Sequence, residues 1–145
     1  MTAEDNKTLA RRWIDEVINA HDLARGETLV SSDCVMHFSG LPEPLHGFAA
    51  MKELGAAYFA AFPDLHVTIG HELADDDMAA HIYTWTATHR GELQGIPATG
   101  KQVTVAGADA FRIKDGKIVE HWVFDDVMGL MQQIGAIPQP EQARA

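Results

Sequence analysis

Hydrophobic side chains in the first part of the chain recur at helical spacing. Leu9, Trp13 and Val17 fall on one face of the segment from 4 to 20, and acidic residues near its start favour the helix dipole. The pattern predicts a helix there, a short second helix in "HDLARGETLVSSD" and a third over residues 47 to 61. Pro63 ends the third helix, because proline has no backbone N–H to donate.

After residue 64 the chain changes to the alternating pattern of β-strands. "LHVTIGHELA" and "MAAHIYTWTATHRGEL" predict two strands, and Asp115-Gly116 predicts a hairpin turn between two more. A short strand, "CVMHFSG", precedes the third helix, and a short apolar helix from Val127 to Ile134 follows the last strand. Helices followed by a meander of strands predict the α+β class, with a curved antiparallel sheet wrapped around the N-terminal helices and a concave cavity between them.

Alternation gives each long strand two faces. On the strand that begins near residue 78, one face carries His81, Tyr83, Trp85, Ala87 and His89. On the next strand, one row consists of Val103, Val105, Gly107, Asp109, Phe111 and Ile113. On the last strand, one side carries Ile118, Glu120, Trp122, Phe124 and Asp126. The opposite side carries Val119, His121, Val123 and Asp125.

Two carboxylates interrupt these rows. Asp109 breaks an otherwise apolar row, and Asp126 ends the row that contains Trp122 and Phe124. A buried carboxylate is costly unless it is paired, and burial raises its pKa until it can serve as an acid or base near neutral pH. Two alternatives stay open: Asp109 pairs with a nearby Arg or His, and Asp126 caps the Val127 helix, since Asp is a preferred N-cap residue.

The eight histidines show none of the tight spacings of metal ligands. His37, His89 and His121 are the three whose positions along the strands most favour orientation toward a cavity. "GIPATGK" lacks the length and context of a phosphate-binding loop, and neither a GxSxG elbow nor a cysteine–histidine nucleophile pair is present. The motifs therefore point to side-chain acid/base chemistry.

Length and charge narrow the class of partner. The 145 residues fit a single domain covering 1–145, with a polar N-terminus and a Pro-rich tail from about residue 138 at its periphery. Eleven Lys and Arg against 21 Asp and Glu give a net charge of −10, which argues against nucleic acid and anionic membrane surfaces as partners. The polar N-terminus resembles no secretion signal, so we expect a cytoplasmic protein with a small apolar ligand.

Four segments resemble the SnoaL-like polyketide cyclase family, whose members are also called ester cyclases: "AAFPDL", "THRGELQGIPATGKQVTV", "FRIKDGKIVEHWVFDD" and "GLMQQIGAIP". The resemblance implies the cone-shaped barrel that the family shares with ketosteroid isomerase and nuclear transport factor 2. It also implies closure of a ring on a polyketide ester by intramolecular aldol condensation, without metal or organic cofactor, and a homodimer.

The resemblance also suggests site residues. In family members an Asp removes the proton next to a carbonyl and a His assists. The family's Asp lies four residues after the Trp of "EHW", which is Asp126 in this sequence. The position of the family's His corresponds to Asp109, so this sequence departs from the family pattern there. His37 and His89 match positions where members carry His. With these four as catalytic candidates, the expected substrate-binding residues are the aromatic side chains Trp13, Phe38, Phe62, Trp85, Phe111, Trp122 and Phe124.

Three functions are consistent with this pattern. The first is a cofactor-independent cyclase, or related lyase or isomerase, acting on an apolar polyketide-like substrate. The second is an epoxide hydrolase-type enzyme in which Asp109 and Asp126 hold a water with His37 or His89. The third is a binding protein in which Asp126 is only a helix cap. For the homodimer, the mixed outer row of Ile82, Thr84, Thr86 and Thr88 is the expected interface.

Overall fold

A computed structural model describes residues 2–138 of the chain. The Pro-rich tail predicted to be peripheral lies outside the described residues beyond residue 138. The helices are α1 (Ala3–Arg12), α2 (Phe48–Ala61) and α3 (Val127–Gln133). The strands are β1 (Val30–Phe38), β2 (Leu45–His46), β3 (His66–Ala74), β4 (Met78–Thr88), β5 (Gln102–Lys114) and β6 (Lys117–Asp125).

The predicted first helix forms in two parts. Thr2 and Asp5 make a capping box, in which each side chain accepts a hydrogen bond from the other residue's backbone N–H (3.0 and 3.1 Å). After Arg12 the helix widens into a π-helical turn, Trp13–Ile18, where Asn19 N–H donates to Ile14 O at 2.8 Å. The predicted second helix is a 3₁₀-helix, Leu23–Thr28, and a strand already begins at Val30.

The strands form one curved, unclosed sheet in the order β2-β1-β6-β5-β4-β3. This confirms the α+β class. All neighbouring strands are antiparallel except β1 and β6, which pair in parallel although they are far apart in sequence. The parallel pair places the end of β1 beside the end of β6, so both strands contribute side chains to the same end of the sheet.

The β5–β6 hairpin contains both the predicted turn and an irregularity that alternation did not predict. Asp115 and Gly116 have φ of 51° and 75°, as the expected Asp-Gly turn requires. Arg112 pairs with Glu120, but Ile113 pairs with Ile118, so Val119 is an extra residue in β6. This bulge reverses the alternation of β6, because a one-residue slip moves every later side chain to the other face.

The inner face of the sheet packs against α1, α2 and the π-helical turn. The inner rows predicted for β4 and β5 are confirmed: Tyr83 and Trp85 are buried, as are Val105 and Phe111. On the outer face Ile82 is 52% exposed, whereas Thr88 is buried and donates its hydroxyl to Asp64 at 2.7 Å. The homodimer through this face stays a prediction, but Thr88 is not part of the exposed surface.

Among the helices of residues 2–138, none has the length and apolar character needed to cross a membrane.

Candidate active site

A cavity of about 130 Å³ lies between α2 and the inner face of the sheet. Most of its lining is apolar, with α2 forming one side and strands β1, β4, β5 and β6 the other. Its hydroxyl-bearing and ionisable lining residues are Tyr58, Tyr83, Asp109, His121 and Asp125. An apolar cavity with a few convergent polar groups is the usual form of a small-molecule site.

Asp125 is the last residue of β6 and faces this cavity. Tyr83, Gly107 and Asp125 are aligned across strands β4, β5 and β6. The Tyr83 hydroxyl crosses over Gly107 and donates to Asp125 Oδ1, and Trp85 Nε1 donates to Oδ2 at 3.2 Å. A Cβ atom on Gly107 would lie 2.5 Å from Asp125 Oδ1, so this contact requires a glycine between the two side chains.

Burial in the apolar cavity raises the pKa of Asp125, and the hydrogen bonds from Tyr83 and Trp85 oppose that rise. The negative charge of Asp109 raises the pKa of Asp125 further. Burial and the adjacent Asp125 charge raise the pKa of Tyr83, so its phenol stays protonated and donates. A carboxylate with a raised pKa, held by two donors beside an apolar space, is suited to take a proton from carbon.

A second polar group, centred on Asp109, lies deeper in the sheet. His81 Nδ1 is 3.0 Å from Asp109 Oδ1, and His121 Nε2 is 3.2 Å from Oδ2. Burial opposes ionisation of Asp109, but the hydrogen bonds from His121 and His81 outweigh it and lower the pKa of the carboxyl. Asp109 is therefore a paired carboxylate, in agreement with the alternative that it pairs with histidine.

Across residues 2–138, no three His, Cys, Asp or Glu side chains are arranged to hold a metal ion.

The profile of the SnoaL-like polyketide cyclases matches residues 8–134. The chain belongs to this family. Aklanonic acid methyl ester cyclase DnrD of Streptomyces peucetius is 41% identical over 54 residues, a match that covers only 37% of either chain.

Solved structures of other proteins share this fold. AclR of Streptomyces galilaeus, a suggested hydroxylase, has a TM-score of 0.86 and 29% identity over 98% of this chain and 88% of its own. A suggested SnoaL-like polyketide cyclase from Jannaschia sp. CCS1 has a TM-score of 0.87 and 22% identity, covering 94% and 96%. These likenesses confirm the cone-shaped family fold.

The structure corrects the predicted placement of Asp126. Its side chain caps α3 by accepting from Gly129 N at 2.9 Å, and it does not line the cavity. Asp125, which was expected to lie on the opposite face, is the carboxylate in the cavity. The β6 bulge explains the reversal, because it turns the row of Trp122 and Phe124 outward and that of Asp125 inward.

Of the three histidines expected to face a cavity, His121 lines it, whereas the two catalytic candidates His37 and His89 lie away from its lining. His37 is on the outer side of β1, where its Nε2 is 2.6 Å from Glu120 Oε2 and its ring stacks on Trp122. His89 is buried at the end of β4, and its Nδ1 lies 3.0 Å from the hydroxyl of Thr99, which anchors the following loop. Neither position brings the imidazole to Asp125.

The aromatic candidates divide into three groups. Trp13, Phe38 and Trp85 line the cavity as expected. Phe62 and Phe111 are fully buried behind it: Phe62 contacts the Trp85 ring edge-on at 5.3 Å, and Phe111 stacks on His121 at 4.3 Å. Two further aromatic side chains are on the outer face, which corrects their predicted placement as cavity residues: Trp122 and Phe124.

Sequence reasoning did not select Tyr58, Tyr83, Gly107 or Asp125 as site residues. Two local signals pointed toward them: Tyr83 lies between His81 and Trp85 on an inward face, and Gly107 occupies a strand position where a side chain would be expected. Whether these side chains lie next to one another depends on the register of three strands, which the sequence of a single strand does not reveal.

Proposed function

We propose that this protein is a cyclase in which Asp125 acts as the general base on an apolar carbonyl substrate. The observation that supports it is the Asp125 carboxylate itself, which faces an apolar cavity while Tyr83 and Trp85 hold its two oxygens. Both donors lie on β4, so the carboxylate is oriented by a rigid part of the sheet. Membership of the SnoaL-like family agrees with this chemistry.

In the proposed reaction Asp125 takes a proton from the carbon next to a carbonyl, and an enolate forms. The enolate carbon then attacks a second carbonyl carbon of the same molecule, which forms the new carbon–carbon bond. The resulting alkoxide takes the proton back from Asp125, so the product has the mass of the substrate. The apolar lining would fold the flexible chain so that the two carbons meet, which supplies much of the rate gain in a cyclisation.

The arrangement of Asp109 favours a cyclase over an epoxide hydrolase-type enzyme. That alternative needs two carboxylates that hold one water, but both oxygens of Asp109 already accept from His81 and His121. Both carboxylates line the cavity, but the hydrogen-bond donors of Asp125 hold it at the cavity from β4, whereas Asp109 is 4% exposed and paired with two buried histidines. A cavity of about 130 Å³ is close in size to ones that bind a single benzene ring, so we propose that the reacting end of a larger substrate enters it.

The test uses aklanonic acid methyl ester, the compound in the name of the cyclase relative, in water labelled with heavy oxygen. We expect a cyclised product of unchanged mass from the wild type and from Asp126→Asn, because Asn caps a helix about as well as Asp. Asp125→Asn should lose turnover while keeping its fold by circular dichroism. Heavy oxygen in the product would indicate hydrolysis, and tight binding without turnover would indicate a binding protein.

A further inference from the structure

The chain has two tyrosines, and both line the cavity. Tyr83 is already committed to Asp125 through its hydroxyl. Tyr58, on α2, makes ring contacts but its hydroxyl has no hydrogen-bond partner within residues 2–138. Tyr58 is half-buried and its hydroxyl is not enclosed by protein, so the phenol is free to donate to a ligand in the cavity that it lines.

Ring packing holds Tyr58 in place. Its ring packs edge-on against Phe38, with 5.8 Å between the ring centroids, and its centroid lies 6.1 Å from that of Phe62. The Phe62 ring in turn packs against Trp85, with 5.3 Å between their centroids. Trp85 in turn donates to Asp125, so one connected set of rings positions both the phenol and the carboxylate. The two groups belong to opposite sides of the cavity, since Tyr58 is on α2 and Asp125 is at the end of β6.

The electrostatics of Tyr58 agree with a role as a donor. Burial, together with the charge of Asp125, raises the pKa of Tyr58 to about 12, so the phenol keeps its proton at neutral pH. Both groups line the same cavity, although no hydrogen bond joins them. A molecule placed between them would meet a proton donor on one side and a base on the other.

The other polar lining groups are less suited to this role. Both oxygens of Asp109 are occupied, and the free Nδ1 of His121 is enclosed by protein. The Tyr83 hydroxyl and the Trp85 indole N–H already donate hydrogen bonds to Asp125.

We propose that Tyr58 is a catalytic residue that donates its hydroxyl hydrogen bond to the substrate's carbonyl oxygen while Asp125 faces the adjacent C–H. The inference rests on the proposed function and specifies its substrate class: a ketone or ester with a hydrogen on the carbon next to the carbonyl. When Asp125 removes that proton, negative charge grows on the carbonyl oxygen, and the Tyr58 donor stabilises it. A preorganised donor at such an oxygen is worth on the order of 10²- to 10³-fold in rate.

The test uses α-tetralone with an isotopically labelled carbonyl carbon, bound to the full-length protein and followed by NMR. A hydrogen bond to the carbonyl oxygen moves the carbon resonance downfield. We expect this shift in the wild type and in Tyr83→Phe and Asp125→Asn, and its loss in Tyr58→Phe, which keeps the ring and its packing. The exchange of the α-hydrogens with heavy water should fall on the order of 10²-fold in Tyr58→Phe, with a much smaller change in affinity.

The outcomes separate the two proposals. If Asp125→Asn stops exchange but Tyr58→Phe leaves both the carbonyl resonance and the exchange rate unchanged, the role of Tyr58 is wrong and the proposed base stands. If the labelled ketone binds with its carbonyl shift but Asp125→Asn exchanges as fast as wild type, the proposed base is wrong and the Tyr58 contact stands. Failure of the wild type to bind the ketone would overturn the inference.

Discussion

Replacing Gly107 by alanine tests whether the Tyr83–Asp125 contact organises the site. The added Cβ would lie 2.5 Å from Asp125 Oδ1 and 2.8 Å from Tyr83 Cε1. Ordinary contact begins at 3.4 Å, so the oxygen must retreat by about 0.9 Å. The Tyr83 ring is held on a central strand, and we therefore expect Asp125 to turn away and lose the Tyr83 hydrogen bond.

The consequences follow from that displacement. Misplacing a reacting group by about 1 Å costs on the order of 10²-fold in rate, and we expect a loss of that size in turnover. Losing a hydrogen bond to a charged group costs about 1.5–3 kcal/mol, partly offset by the 0.5–1 kcal/mol that alanine gains over glycine inside a strand. Because the Tyr83 hydrogen bond lowers the pKa of Asp125, the acid limb of the pH–rate profile should move to higher pH.

The assay compares turnover, its pH profile and urea unfolding for the wild type, Gly107→Ala and a matched control. Gly70→Ala is that control, since it adds a methyl in the same sheet, 3.3 Å from Ile82 O and outside the cavity lining. In a Tyr83→Phe background, Gly107→Ala should move the acid limb little further, because the hydrogen bond is already absent. Wild-type turnover with an unmoved acid limb in Gly107→Ala would refute the reasoning.

Three further predictions concern the carboxylates. Burial raises the pKa of Asp125 above its ordinary 3.8, so the native state binds that proton more tightly and loses stability as pH rises from 3.8 through the raised value. Urea unfolding at a series of pH values should show the unfolding free energy of Asp125→Asn increasing relative to that of the wild type across this window. A difference that stays constant with pH would contradict the prediction. Asp109→Asn removes the charged acceptor of two buried hydrogen bonds and should cost about 1.5–3 kcal/mol in unfolding free energy, with a loss below about 0.5 kcal/mol as the contrary result. Asp126→Ala should cost about 0.5–2 kcal/mol by thermal unfolding while Asp126→Asn stays near wild type, and equal loss in both would argue against the cap.

Local pattern was sufficient for β4 and β5. Their pairing runs without a register shift from Met78 and Arg112 to Thr88 and Gln102, so strict alternation predicts which side chains face inward. Asp109 was recognisable as an ionisable residue in an apolar row for the same reason. Its two hydrogen-bond partners, His81 and His121, could not be recognised from the sequence, because they lie on the strands on either side of β5.

Alternation was insufficient for β6. The bulge at Val119 reverses the faces, and nothing in "KIVEHWVFDD" distinguishes the strand with the bulge from the strand without it. The same change explains why Trp122 and Phe124, which look like core residues in the sequence, are on the outer face. An aromatic row is a weaker guide to burial than the register of the strand that carries it.

The amino-acid sequence by itself determined the α+β class, the inward rows of β4 and β5, the Asp-Gly turn and the family, because these depend on periodicity, turn chemistry and local motifs. Only the tertiary structure decided which of two adjacent carboxylates faces the cavity. Asp125 and Asp126 are the same residue type, one position apart, and either could cap a helix or line a cavity. The choice is made by a one-residue bulge and by the alignment of Tyr83, Gly107 and Asp125 across three strands, which exists only once the sheet has formed.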